Sequence, residues 1–122
     1  YFYRPESFAK SWAKVRGFAQ EAGKDPDTLM NGSQLPIMIG KSRAAVESRM
    51  MEWLGKEWDY ASWSDSTKDS AIIGTVDECV AQLKEHLAVG VQKLVFVPYK
   101  YEMSQIEIIA SEIIPQLKAF QR

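Results

Sequence analysis

Apolar positions along the chain alternate between helical and strand-like spacing. Phe8, Trp12, Val15, Ala19 and Ala22 recur at helical intervals behind Pro5 and predict a first helix. Pro5 suits the first turn, where its missing N–H has no helical partner anyway. Gly23 is a stop signal, and Asp25-Pro26-Asp27 has the residue types of a turn. Leu35 to Gly40 is a short apolar run containing Pro and ending in Gly, which predicts a buried strand and then a loop. Ser42 is placed to cap a second helix through Ala45, Val46, Met50, Met51 and Leu54. From Gly55 to Ser70 the periodicity lapses. Trp58, Tyr60 and Trp63 stand there among Ser and Asp, and a long loop with a helical turn is expected.

Ile72-Ile73-Gly74-Thr75 leads into the clearest helix start of the chain. Thr75 can cap it, and Glu78 three residues later can reach back, forming a capping box. Val76, Cys79, Val80, Leu83 and Leu87 make one apolar stripe, and Gly90 ends it. Leu94-Val95-Phe96-Val97 is a continuous apolar run, the pattern of a strand buried on both faces. A last helix carries Ile106, Ile109, Ala110, Ile113, Ile114, Leu117 and Phe120 on one side, with Pro115 expected to kink or restart it. Helices alternating with two strands predict an α/β fold with parallel pairing and right-handed crossovers. Two strands buried on both faces need neighbours. Residues 1–122 are therefore expected to form a single incomplete domain, completed by missing chain or by another copy in a homo-oligomer.

Composition narrows the function classes. The chain has 122 residues, enough for one domain. Its 15 basic and 16 acidic residues leave no cationic excess to hold a phosphate backbone, so nucleic acid is not an expected partner. No apolar run approaches a membrane span. One cysteine excludes an internal disulfide and fits a reducing compartment, so a cytoplasmic location is expected. With one histidine and one cysteine, no zinc site is expected. Cys79, on the apolar stripe, reads as a small buried hydrophobe, and His86 as a solvated helix residue. The chain opens Tyr1-Phe2-Tyr3, and three aromatics there are expected to continue from an upstream segment, the alternative being an arm folded back on its own domain.

Several helix boundaries together resemble one family. Ile73-Gly74-Thr75-Val76-Asp77-Glu78-Cys79-Val80, then Leu83, Gly90-Val91 and Leu94-Val95-Phe96, resemble the closing part of the luciferase-like monooxygenases. That family has a Gly-Thr-x-Asp/Glu-Glu-x-Val helix start, an Ala-Gly-Val helix end and then the final barrel strand. Ile113-Ile114-Pro115-Gln116-Leu117 is similar to its last helix. Ala22-Gly23-Lys24-Asp25-Pro26 is similar to its Ala-x-x-Gly-Arg-Asp-Pro turn, with Lys in place of Arg. The resemblance implies the C-terminal part of a TIM-type (β/α)8 barrel, with the sixth helix, the seventh strand and helix, and the eighth strand and helix. It also implies a parent that is a flavin- or deazaflavin-dependent oxidoreductase acting on a small organic substrate, with FMN or the 8-hydroxy-5-deazaflavin coenzyme. The isolated chain would then be inactive. The alternative is a non-catalytic α/β module that buries its sheet by self-association.

In such a barrel the active groups follow the carboxyl ends of strands. The candidate cofactor-binding residues are therefore Lys41 and Ser42 after the first strand, and Tyr99 and Lys100 after the last. Gly74 and Thr75 join them, because the long loop must climb back to that face before the next helix descends. A helix N-terminus there can hold an anion, although Asp77 and Glu78 compete with one. Trp58, Tyr60 and Trp63 are the expected substrate lid. No catalytic residue and no metal ligand stands out.

Overall fold

The computed structural model describes residues 4–57 and 70–120. Trp58, Tyr60 and Trp63, the expected lid, lie outside the described residues, as do Tyr1, Phe2 and Tyr3. Helix α1 (Pro5–Glu21) begins on Pro5 and is followed by a turn of 3-10 helix at Pro26–Thr28, which Asp25 caps through the Asp27 N–H. Arg16 ties α1 to that turn, donating to the Pro26 carbonyl at 3.2 Å and to Asp27 at 2.7 Å. Strand β1 (Ser33–Ile39) leads to α2 (Arg43–Glu57), strand β2 (Ile72–Gly74) to α3 (Val76–Ala88), and β3 (Leu94–Pro98) to a closing helical segment. That segment runs as α4 (Met103–Ile108), a π-helical turn (Ile109–Ile113) and α5 (Ile114–Phe120). Pro115 explains the π turn. A proline lacks an N–H and its ring crowds the carbonyl four residues back. Widening the preceding turn relieves both conflicts.

The sheet is parallel throughout and has three strands in the order β2-β1-β3. Two strands were expected. The third, Ile72–Gly74, is too short to show periodicity and reads in sequence only as the approach to a helix. β1 and β3 pair directly from Ser33↔Leu94 to Ile37↔Pro98, as the order of expected strands required. β2 flanks the other side of β1, from Ile37↔Ile72 to Ile39↔Gly74. This placement tolerates a proline within the central strand. The Ser33 N–H donates to Lys93 on the β3 side and the Gly40 N–H to Gly74 on the β2 side. By alternation Pro36 faces the β2 side, below the point where β2 starts, so no ladder bond is lost.

Helices cover both faces. Met38, Ile73 and Val97 meet Val46, Met50, Trp53 and Leu54 of α2. Leu35, Ile37, Ile39 and Ile72 meet Cys79, Val80 and Leu83 of α3, with Ile109, Ile113 and Leu117 behind them. Burying each such side chain stabilises the fold by about 1.5–3 kcal/mol. A closed barrel keeps its helices outside. Here α2 lies on the opposite face from α3 and α5. Three expectations need correction. β3 is not buried on both faces: Val95, on the same face as buried Val97, is 41% exposed, and nothing described pairs with its far edge. Val15 leaves the α1 stripe partly in solvent, as Ile106 and Phe120 do for the last helix. And α2 runs on to Glu57, into the stretch expected to be loop.

His86 is the fourth correction. It is not solvated but 2% exposed, and its Nδ1 has no hydrogen-bond partner among the described residues. It borders a small cavity with Arg4 and Glu6 from the start of α1, and with Gln82 and Glu85 from its own helix. Burial holds its imidazole below the ordinary value of 6.5, against an opposing pull from Glu6. The folded state therefore binds this proton less readily than the unfolded state. The contribution of His86 is fully present above pH 6.5 and is lost as pH falls towards the folded value. Urea midpoints of wild type and His86→Leu, compared from pH 7.5 downwards, should converge in acid. A difference that stays constant with pH would refute the assignment.

Candidate functional site

The carboxyl ends of three parallel strands meet at one edge of the sheet, and the sequence-selected residues gather there. Gly40 follows β1, Gly74 ends β2 and Tyr99 follows β3. Two glycines set the spacing between the first two. A Cβ on Gly40 would lie 2.3 Å from Val46 Cγ1, so only glycine lets α2 close onto the sheet so soon after β1. Gly74 has φ +140°, and a Cβ there would meet Glu78 at 3.0 Å.

Ser42 does what its position predicts: its hydroxyl accepts from the Ala45 N–H at 3.1 Å. Lys41 beside it is exposed. Thr75 and Glu78 form the expected capping box. The Thr75 hydroxyl accepts from the Glu78 N–H at 3.2 Å, and the Glu78 carboxylate accepts from the Thr75 N–H at 3.0 Å. Cys79 is wholly buried one turn below, with its thiol directed at the Gly74 carbonyl. Burial first, and Glu78 second, push that thiol up to about 12, so no thiolate nucleophile is offered.

The β3 corner is denser. Tyr99 is buried, edge-on to Trp53 with ring centroids 5.6 Å apart. Trp53 also meets Tyr101 at 6.2 Å. The Arg49 guanidinium and the Lys100 ammonium each lie 5.4 Å from the Tyr99 ring centroid. Glu52 and Lys56 pair at 2.9 Å on the same helix. The hydrogen bond and charge of Lys56, with a lesser pull from Lys100, hold the Glu52 carboxyl below its ordinary value. Lys100 and Tyr101 both adopt positive φ, 48° and 53°, without being glycines.

Behind this edge, Gln105 takes the place of a missing strand. Its side chain accepts from the Ile39 N–H at 2.8 Å and donates to the Ile39 carbonyl at 2.9 Å. β3 has turned away by then, and Gln105 completes the ladder beside the end of β1. Sequence reading missed Arg49, Trp53 and Gln105. The 49, 53, 56 spacing on α2 was available as a signal for the first two. Nothing local marks Gln105, whose partner lies 66 positions earlier.

Solved structures contain this arrangement. A long-chain alkane monooxygenase (LadA) superposes on 98% of the chain with a TM-score of 0.67 at 13% identity. A riboflavin lyase (RcaE), solved with modified FMN and riboflavin, superposes on 95% with 0.65 at 10% identity. The chain shares the fold of luciferase-like monooxygenase structures. A third, the coenzyme F420-dependent tetrahydromethanopterin reductase of Methanopyrus kandleri, superposes on 92% with a TM-score of 0.61 at 18% identity. The chain spans only 35%, 37% and 42% of the alkane monooxygenase, riboflavin lyase and reductase chains. The family resemblance read from the helix boundaries thus has a structural counterpart, at identities that speak for the fold alone. No protein-family model matches the chain, and no curated protein matches it in sequence. Among the described residues no helix is long and apolar enough to cross a membrane, and no group of three or more His, Cys, Asp or Glu could hold a metal ion.

Proposed function

We propose that this chain is the C-terminal portion of a luciferase-like oxidoreductase that uses FMN or the 8-hydroxy-5-deazaflavin coenzyme on a small organic substrate. The observation that carries the reading is the near-complete superposition of the chain on 35–42% of three such structures. The open edge of β3 supports it, since that strand has room for a further neighbour. In this reading residues 1–122 are one incomplete domain of a cytoplasmic enzyme, β1 and β3 are the last two strands of a (β/α)8 barrel, and α2 on the opposite face and the short β2 depart from the plain barrel plan.

The carboxyl-edge residues fit only the charged end of such a cofactor. Lys41 and Lys100 are exposed cations there. The Thr75 corner fits less well. Its hydroxyl and N–H are engaged in the capping box, and Asp77 and Glu78 place two carboxylates beside it. The ring of Tyr99 is packed against Trp53 and two cations. Within this chain the residues therefore shape one rim of the site and keep its floor dry. The flavin or deazaflavin supplies the redox chemistry when bound.

Absorbance titration with FMN tests the reading. The 122-residue chain should show no tight stoichiometric binding, whereas the parent polypeptide should bind FMN or the deazaflavin coenzyme. Tight one-to-one binding by the chain alone would show that the site is complete. Failure of the parent to bind either would remove the oxidoreductase reading. Self-association is the second reading, favoured by the exposure of Val95, Ile106 and Phe120. The two can coexist, since a barrel fragment can itself oligomerise; a clean monomer with a cooperative melt in light scattering over a concentration series would remove self-association.

A further inference from the structure

We propose that Arg49 and Lys100 form a binding site for a compact dianion of the phosphate-monoester class. This site goes beyond the redox reading and does not depend on it. Both cations border one cavity of about 140 Å³, whose wall includes Trp53 and Tyr99. That volume exceeds the roughly 30 Å³ share of a water molecule several-fold. Each cation lies 5.4 Å from the centroid of the same tyrosine ring.

Two carboxylates border the cavity as well, against three cations, and Lys100 exerts a lesser pull on one of them, Glu52. Glu52 is engaged by Lys56 at 2.9 Å, and Glu57 lies within the field of that same lysine. Among the described residues, Arg49 and Lys100 make no ion pair. Two like charges thus share one ring, and the cavity keeps an excess of one positive charge. An exposed cation–π contact offers only about 0.5–1 kcal/mol to hold each of them. The backbone adds a cost of its own. Lys100 and Tyr101 are consecutive residues in the left-handed region, at about 1–2 kcal/mol each. Strain of this kind persists where the surroundings impose it, and it concentrates at ligand sites.

The chemistry of the two donors selects the ligand. The Arg49 fork can meet two oxygens of one tetrahedral anion, and the Lys100 ammonium can meet a third. The phosphate could belong to a cofactor or to a phosphorylated substrate, and competition distinguishes the two.

The test is a titration of the 122-residue chain with inorganic phosphate at constant ionic strength, followed by thermal shift and calorimetry. Binding should saturate. Arg49→Gln and Lys100→Gln should each weaken it about tenfold or more, the factor that corresponds to one lost charge-assisted contact. Arg49→Lys should fall between, because it keeps the charge and loses the fork. Lys24→Gln, at an exposed turn, should bind as wild type does, and circular dichroism confirms that each variant is folded. Displacement of phosphate by FMN but not by ribose 5-phosphate would assign the site to a cofactor, and equal displacement to a phosphorylated substrate. Non-saturating binding, or binding unchanged in both glutamine variants, would overturn the proposal.

Discussion

Trp53→Ala should lower the unfolding free energy of the chain by about 3–5 kcal/mol, the range for removing a buried Trp or Phe. The indole is 7% exposed and lies in the cluster formed by α2 with the inner residues of all three strands. Its loss leaves a void beneath Tyr99 and removes the edge contacts to Tyr99 and Tyr101. Those contacts are what α2 offers the strained turn at Lys100. The effect should therefore reach past stability: the near-ultraviolet circular dichroism of the tyrosines should weaken, and any phosphate binding at Arg49 and Lys100 should fall with it. Urea unfolding reads the stability. A loss below about 1 kcal/mol would mean that α2 does not pack on the sheet as described, since even well-accommodated core truncations cost more.

Gln105→Ala is expected to cost about 2–4 kcal/mol, because it strips partners from two buried backbone groups at about 1–3 kcal/mol each. The Ile39 N–H and carbonyl face the β3 side after β3 has turned away, and the Gln105 amide is what satisfies both. Gln105→Glu sharpens the test. A carboxylate can accept from the Ile39 N–H but presents a lone pair to the Ile39 carbonyl, so it should recover little. The local readout is amide hydrogen exchange at Ile39, which should speed up in both variants. Unchanged protection would show that the ladder ends without Gln105. Both predictions concern the carboxyl edge, so the rigidity of the candidate site and the stability of the fold rest on the same few contacts.

The readings that held are local ones. The Ser42 and Thr75 caps, the Gly23 and Gly90 stops and the turn at Asp25 each need only residues within one helical turn, so their chemistry is visible in a short window. The two long strands were legible for the same reason, since their apolar runs are bounded by Pro and Gly. The pairing of β1 with β3 was less local, yet alternation of helices and strands was enough to call for it. β2 escaped notice because three residues cannot display a period. His86 was misplaced because it was read from its polar side chain, although it lies three residues after Leu83 and seven after Cys79, on the apolar face of α3. What the local pattern could not show is that the first turn of α1, about 80 residues away in sequence, borders it.

By itself, then, the sequence determined where most helices begin and end, which two long stretches become strands, that Cys79 is buried, and which luciferase-like boundaries the chain resembles. Each depends on interactions within a few residues. Tertiary structure alone decided that β3 has an open edge among the described residues, that α2 lies on the opposite face from α3, that Gln105 closes the ladder of β1, and that Arg49 and Lys100 both approach the ring of Tyr99. These depend on contacts between segments dozens of residues apart. Their residue types also fit many other surroundings, and only packing chooses among them.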